Sequence, residues 1–138
     1  MITNDREYRI TKARIANPEA AIARERARTD VSPAMRDIYV AALAGNLQTM
    51  ASEVVEYEGL KAGRVPVEGS SLAALPLVLI KARIAQGWTQ KQLTDKLQVV
   101  EQTVQRYEAN HYQGVAIERL SRIAEILSVQ VTGMYAMA

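Results

Sequence analysis

Residues 83–108 read RIAQGWTQKQLTDKLQVVEQTVQRYE, and this stretch carries the signals of two short helices joined by a tight turn. Gly87 ends the helix that comes before it, because glycine interrupts a helical pattern. Thr89 is a favoured N-cap residue, and Gln92 follows it at the spacing of a capping box. These signals predict a helix over 90–97, a turn over 98–100 and a second helix over 101–109. Two helices of about eight residues joined by a turn of three or four residues form a helix-turn-helix.

Helical signals continue on both sides of this motif. A helix is predicted over 76–85, and another over 116–127 follows a polar loop at 110–115. A short last turn is expected around Met134 and Tyr135. The apolar side chains expected to form the core are Ile80, Ile84, Leu93, Leu97, Val104, Tyr107, Leu120 and Ile123. The sequence therefore predicts an all-α C-terminal domain over 72–138.

Three blocks of this half resemble the lambda-repressor-like (Cro/XRE) family of DNA-binding domains. The blocks are 83–93, 104–108 and 120–127, and the resemblance covers residues 75–131, nearly half of the chain. It implies a five-helix lambda-repressor-like domain that reads the major groove of double-stranded DNA with helix 101–109. It also implies a sequence-specific transcriptional regulator of prokaryotic or phage type, with repression as the expected role.

The resemblance assigns roles to individual residues. The candidates for contacts to base edges are Glu101, Gln102, Gln105 and Arg106. The candidates for contacts to DNA phosphates are Thr89, Gln90, Thr103, His111 and Tyr112. Arg83 and Glu108 occupy the positions of a structural ion pair that ties the first helix of the domain to the third. Among the base contacts, Gln102 can pair with adenine, Arg106 can pair with guanine, and Glu101 can accept a hydrogen bond from cytosine.

Three residues depart from what the resemblance leads us to expect. Relatives often carry a small residue at position 94 and glycine at position 98, where this chain has Thr94 and Gln98. The Thr94 hydroxyl can bond back to a carbonyl one turn earlier. Gln98 would have to adopt a left-handed conformation, which is costly for a residue with a Cβ. Glu101 places a carboxylate on a surface that faces phosphates.

The sequence pattern of the N-terminal half predicts a helical hairpin of long helices over 1–62. One helical face is marked by residues at intervals of seven, Tyr8, Ile15 and Ile22. Asn17-Pro18 interrupts this face, either by kinking the helix or by starting a new helix that Asn17 caps. Ser32-Pro33 is a strong start for the second arm, and Gly63 supplies the next stop signal. The second arm would therefore be a helix of about 30 residues.

A row of apolar residues along the second arm steps alternately by four and three positions, as in a coiled-coil heptad. Its members are Tyr39, Leu43, Leu47, Met50, Val54 and Tyr57. The row can serve only to bury the first arm, or the hairpin can also use a remaining apolar face to meet another chain. We favour the second alternative, and we therefore expect this row to be the seam of a homodimer or of a complex with a partner, held mainly by Leu43, Leu47, Met50 and Val54.

Residues 63–71 contain glycine, proline and serine without a helical period, which predicts a linker between two domains. The net charge of +2 is unevenly distributed: residues 1–28 carry +3, residues 29–69 carry −3 and residues 70–138 carry +2. The basic run over 24–28 can be an arm that binds DNA, or it can pair with acidic side chains of the second arm. Those acids are Glu53, Glu56 and Glu58. We favour the pairing.

The composition excludes several classes of protein. The absence of cysteine excludes disulfide frameworks, thiolate zinc sites and cysteine nucleophiles, and the single histidine, His111, cannot build a histidine-rich metal site. The longest apolar run, 72–80, is interrupted by proline and is much shorter than the ~20 residues that span a bilayer. The N-terminus is too polar for a secretory signal, so we expect a cytoplasmic protein. The sequence shows no signature of a catalytic, cofactor or metal site, and we predict no enzyme activity, no cofactor and no metal.

The sequence thus predicts a regulator that binds a palindromic operator as a dimer, because one domain of such low charge neutralises few phosphates. One alternative is the antitoxin of a toxin–antitoxin pair, which would bind its toxin through the N-terminal hairpin and repress its own operon. A further alternative is a protein-interaction adaptor without DNA binding. Glu101 and the modest net charge of the chain favour this alternative.

Overall fold

The computed structural model describes residues 1–133, which contain α-helices and no β-strand. The predicted all-α class is therefore confirmed. The chain divides into two compact units, one of residues Met1–Gly59 and one that begins at Leu60. None of the helices within 1–133 combines the length and the apolar character of a bilayer-spanning segment. The turn expected around Met134 and Tyr135 lies outside the described residues.

The first unit contains α1 (Asp5–Arg14), α2 (Pro18–Arg26) and most of α3 (Pro33–Lys61). The side chain of Asn17 accepts a hydrogen bond from the amide of Ala20 at 3.2 Å, and Pro18 is the first residue of α2. Proline is tolerated there because the first helical amide has no intrahelical partner. The interruption is thus the start of a new helix, and the first arm consists of two short helices.

Contacts at both ends of α3 show that the two arms are antiparallel. Near the end of α3, the ring of Tyr57 stacks on that of Tyr8 in α1, with 5.3 Å between the ring centroids. The Tyr57 hydroxyl also donates to Asp5 at 3.0 Å. Near the start of α3, the guanidinium of Arg28, just after α2, lies 5.2 Å from the centroid of the Tyr39 ring. The first arm therefore runs back along α3, as in a helical hairpin.

The apolar row of α3 is mostly covered within the chain. Leu47, Val54 and Tyr57 are buried, Leu43 and Met50 are half-buried, and Tyr39 is exposed. We therefore correct the expectation that the whole row meets a second chain, because its three buried members are already covered. Other side chains of α3 remain exposed, among them Met35, Ile38 and Val55.

The second unit contains a short 3₁₀ turn and, within the described residues, four α-helices. The turn spans Leu72–Ala74, α4 spans Leu75–Ala85, α5 spans Gln90–Leu97, α6 spans Glu101–Ala109 and α7 spans Ile117–Ile126. Residues 62–71, which include the predicted linker, lie outside any helix. The bounds predicted for α5 and α6 are confirmed.

The motif helices have the local geometry that the sequence indicated. The Thr89 hydroxyl accepts a hydrogen bond from the Gln92 amide at 3.1 Å, and the Gln92 side chain accepts one from the Thr89 amide at 2.8 Å. α5 ends at Leu97, and its C-cap residue Gln98 is left-handed with φ at 56°. This conformation costs a residue with a Cβ about 1 kcal/mol. The Thr94 hydroxyl donates to the Gln90 carbonyl one turn earlier, at 2.8 Å.

The core predicted for the second unit is largely confirmed. The buried members are Ile80, Ile84, Leu93, Leu97, Val104 and Ile123. Tyr107 and Leu120 are half-buried. Because these side chains come from α4, α5, α6 and α7, the four helices share one core, and the packed side of α6 determines which of its side chains face outward.

Candidate functional site

The side chains expected to contact bases lie on one exposed face of α6. They are Glu101, Gln102, Gln105 and Arg106, and all of them are exposed. At 100° per residue they fall within an arc of about 140° of the helix. Val104 is buried and Tyr107 is half-buried on the inner side. α6 therefore presents hydrogen-bonding side chains on its outer side and apolar side chains on its inner side.

A buried ion pair joins α4 to α6. Nε and Nη2 of Arg83 donate to the two carboxylate oxygens of Glu108, at 2.6 and 2.8 Å, so the contact is bidentate. The two side chains are 2% and 1% exposed. Nη1 of Arg83 donates to the carbonyl of Trp88 at 2.7 Å. The guanidinium thus bonds both to α6 and to the chain just before α5.

The same carboxylate holds the side chain of Gln90. Nε2 of Gln90, the first residue of α5, donates to Oε2 of Glu108 at 2.7 Å. Gln90 is half-buried, and this bond fixes the direction of its amide group. The candidate phosphate contact at the start of α5 is therefore anchored to α6 through Glu108.

The other candidates for phosphate contacts differ in their exposure. Thr89 and His111 are exposed, and Thr103 is half-buried. Tyr112 is only 4% exposed, and its ring centroid lies 5.7 Å from that of Tyr107. Its buried hydroxyl has no hydrogen-bond partner among the described residues. We therefore correct the expectation for Tyr112: its side chain belongs to the interior and does not reach a phosphate.

The turn after α6 accounts for the placement of Tyr112. His111 and Tyr112 are both left-handed, with φ at 53° and 58°. Two consecutive left-handed residues turn the chain sharply, and the Tyr112 amide donates back to the Tyr107 carbonyl at 2.7 Å. Burial of the phenol, with the charge of Glu108 near it, raises the pKa of Tyr112 above its ordinary value. No sequence signal marked this pair of left-handed residues.

A cleft beside α6 adds an arginine that the sequence analysis missed. Arg106, Asn110, Gln113 and Arg119 are among the residues that line it. Arg119 is in the first turn of α7, and no side chain caps that helix. A cation in the first turn of a helix opposes the helix dipole. This mismatch is the signal in the sequence that could have marked Arg119 as a candidate for anion binding.

The buried pair makes a direct prediction about stability. Replacing Glu108 with glutamine leaves the buried Arg83 guanidinium without its counter-charge, and the free energy of unfolding should fall by ~3–5 kcal/mol. Glu101→Gln is the matched control on the same helix, and its effect should stay within ~0.5 kcal/mol because Glu101 is exposed. Chemical denaturation followed by the fluorescence of Trp88, the only tryptophan, measures both variants. Equal effects of the two variants would contradict the structural role of Glu108.

Comparison with known proteins supports the assignment of a helix-turn-helix to this part of the chain. Residues 79–133 match a family model described as helix-turn-helix, of the Cro/C1 type. No curated protein and no solved structure matches the chain. The matched segment contains the buried pair, the capped α5 and the exposed face of α6, and the family consists of DNA-binding regulators that are generally not enzymes. Residues 79–133 of this chain are therefore a helix-turn-helix domain of the lambda-repressor-like (Cro/XRE) family, and this domain supports DNA-binding transcription regulation as the role of the chain.

Proposed function

We propose that this chain is a sequence-specific repressor that reads its operator with the exposed face of α6. The observation that carries the proposal is the grouping of four side chains on one outward arc of α6, namely Glu101, Gln102, Gln105 and Arg106. An α-helix fits into the major groove of B-DNA, where every base pair presents a distinct set of donors and acceptors. Occupation of a site that overlaps a promoter is sufficient for repression, so this role needs no further surface.

The chemistry of these side chains suits base recognition. The planar guanidinium of Arg106 matches N7 and O6 of guanine, and the amide of Gln102 matches N6 and N7 of adenine. Glu101 differs, because DNA phosphates repel a carboxylate. In the groove Glu101 is useful as an acceptor for the amino group of cytosine, and it adds specificity by penalising other bases.

Contacts to phosphates would set the register of α6 on the duplex. The amide nitrogen of Gln90 uses one hydrogen in its bond to Glu108 and has a second hydrogen to donate. Thr89 and His111 are exposed, and Arg119 lines the cleft beside Arg106. We propose that these side chains bind the DNA backbone while α6 reads the bases.

Two substitutions separate base contacts from backbone contacts. Replacing Arg106 with alanine should relax base preference at one position of each half-site and cost ~1–3 kcal/mol of binding free energy. Replacing Gln90 with alanine should weaken binding to every sequence by the same factor, because a phosphate contact carries no base information. Binding to a panel of variants of an operator found by in vitro selection measures both effects. Uniform weakening by Arg106→Ala would mean that α6 does not read bases through this residue.

We further propose that two copies of the chain associate through the outer side of α3. Ile38 is 59% exposed and Met35 is 40% exposed. Residues 41–52 of α3 include no charged side chain, and depletion of charge is typical of the core of an interface. A dimer would engage two half-sites about one helical turn of DNA apart. It would also double the number of phosphates that a chain of net charge +2 can contact.

The dimer proposal is tested by placing a charge on this face. Ile38→Glu should convert a dimer to a monomer in analytical ultracentrifugation, because it buries an unpaired carboxylate in the interface. Ile117→Glu is the matched control, since Ile117 on α7 is 58% exposed, and this variant should remain dimeric. A monomeric unmodified chain would contradict the proposal. It would leave the face of α3 available to a different protein, as in the antitoxin arrangement.

A further inference from the structure

The outer sides of α1 and α2 carry a group of arginines that the proposed reading face does not use. Arg6, Arg9 and Arg14 are exposed on α1; Arg24 and Arg26 on α2 are exposed too, but they lie about 160° apart around that helix and do not share one side. Within residues 1–133 none of the five forms an ion pair. We call the three arginines of α1 the arginine face.

The three arginines of α1 lie away from the side of that helix that packs. At 100° per residue, Arg6, Arg9 and Arg14 fall within an arc of about 140°. Tyr8, Thr11 and Ile15, which are half-buried, lie on the opposite side of the helix. The packing of Tyr8 against α3 therefore directs the guanidinium groups of α1 outward.

Several acidic side chains of this unit have partners other than these arginines, while Glu7 on α1 and Glu19 on α2 form no ion pair within residues 1–133. Glu25 pairs with Arg28, which also pairs with Asp30. On α3, Glu53 pairs with the N-terminal ammonium, and Glu58 pairs with Lys12. We expected the basic run over 24–28 to pair with acidic side chains of α3. In the structure Arg28 pairs with Glu25 and Asp30 instead. The arginine face thus keeps its positive charge uncompensated by an ion pair.

This distribution of charge fits a regular polyanion. Arginine guanidinium groups bind phosphates through planar, paired hydrogen bonds. Double-stranded DNA carries one negative charge per ~1.7 Å of its axis. Because both units belong to one chain, a duplex held by the second unit is presented to the first at a high effective concentration.

From these observations we infer that the arginine face binds the phosphate backbone of the same DNA duplex that α6 reads. The inference rests on the proposed function, and it adds a second contact area that carries no sequence preference. The face supplies affinity and dependence on salt, whereas α6 supplies the choice of sequence.

The test measures how the affinity of the full-length chain for its selected duplex changes with salt. Each phosphate contact contributes about 0.9 to the slope of log K against log salt concentration. The triple variant Arg6→Gln, Arg9→Gln, Arg14→Gln should lower the magnitude of this slope by about 2–3, in line with the lost contacts. The base preference of the variant across the operator panel should not change.

Lys12→Gln compared with Arg9→Gln is the matched pair. Both variants remove one positive charge from α1, but the Lys12 ammonium is engaged by Glu58 at 3.1 Å and by the Tyr8 hydroxyl at 2.7 Å. Arg9→Gln should lower the slope by about one contact, and Lys12→Gln should leave it nearly unchanged. Circular dichroism checks that each variant is folded.

Two results would overturn the inference. Equal effects of Arg9→Gln and Lys12→Gln on the salt slope would show that the slope depends on net charge and not on contacts between these side chains and phosphates. An unchanged slope in the triple variant, while Arg106→Ala still alters base preference, would leave the proposed function intact and show that the arginine face does not meet DNA. An acidic protein surface would then fit the face better. If no variant of α6 alters base preference, the proposed function itself is contradicted.

Discussion

The buried contact between Arg83 and Glu108 is the interaction on which the DNA-facing surface depends. Glu108 belongs to α6, and its carboxylate accepts hydrogen bonds from Arg83 on α4 and from Gln90 on α5. Taking such charges out of water costs several kcal/mol for each ion, and only good geometry recovers that cost. The three helices cannot shift against one another without leaving a buried charge unpaired. The exposed face of α6 is therefore held in one orientation.

Local signals made the helix-turn-helix predictable. The capping box at Thr89 and the left-handed turn at Gln98 depend on a few neighbouring residues, so the bounds of α5 and α6 followed from the sequence. Asn17-Pro18 is also a local signal, but proline both kinks helices and starts them, and only the structure decided between these outcomes. The pair of Arg83 and Glu108 spans 25 positions, and only the family resemblance pointed to it.

The parts that the sequence did not predict depend on contacts that no local pattern encodes. A heptad row shows which side chains of α3 prefer burial, but it does not show whether another chain or the same chain covers them. Tyr112 turns inward because it follows another left-handed residue, His111, and loop residues carry no periodicity that reveals this. Arg119 joins Arg106 only because the loop after α6 brings the start of α7 to the same cleft.

The most direct test of the reading face is an NMR titration of the isotope-labelled, full-length chain with its selected duplex. We predict that the largest changes in amide chemical shift occur at the start of α5 and along Glu101–Arg106 of α6. The exposed residues Arg122 and Glu125 of α7 should change little. Large changes along α7 with an unaffected α6 would contradict the account, because the duplex would then bind a surface other than the one that the buried pair presents.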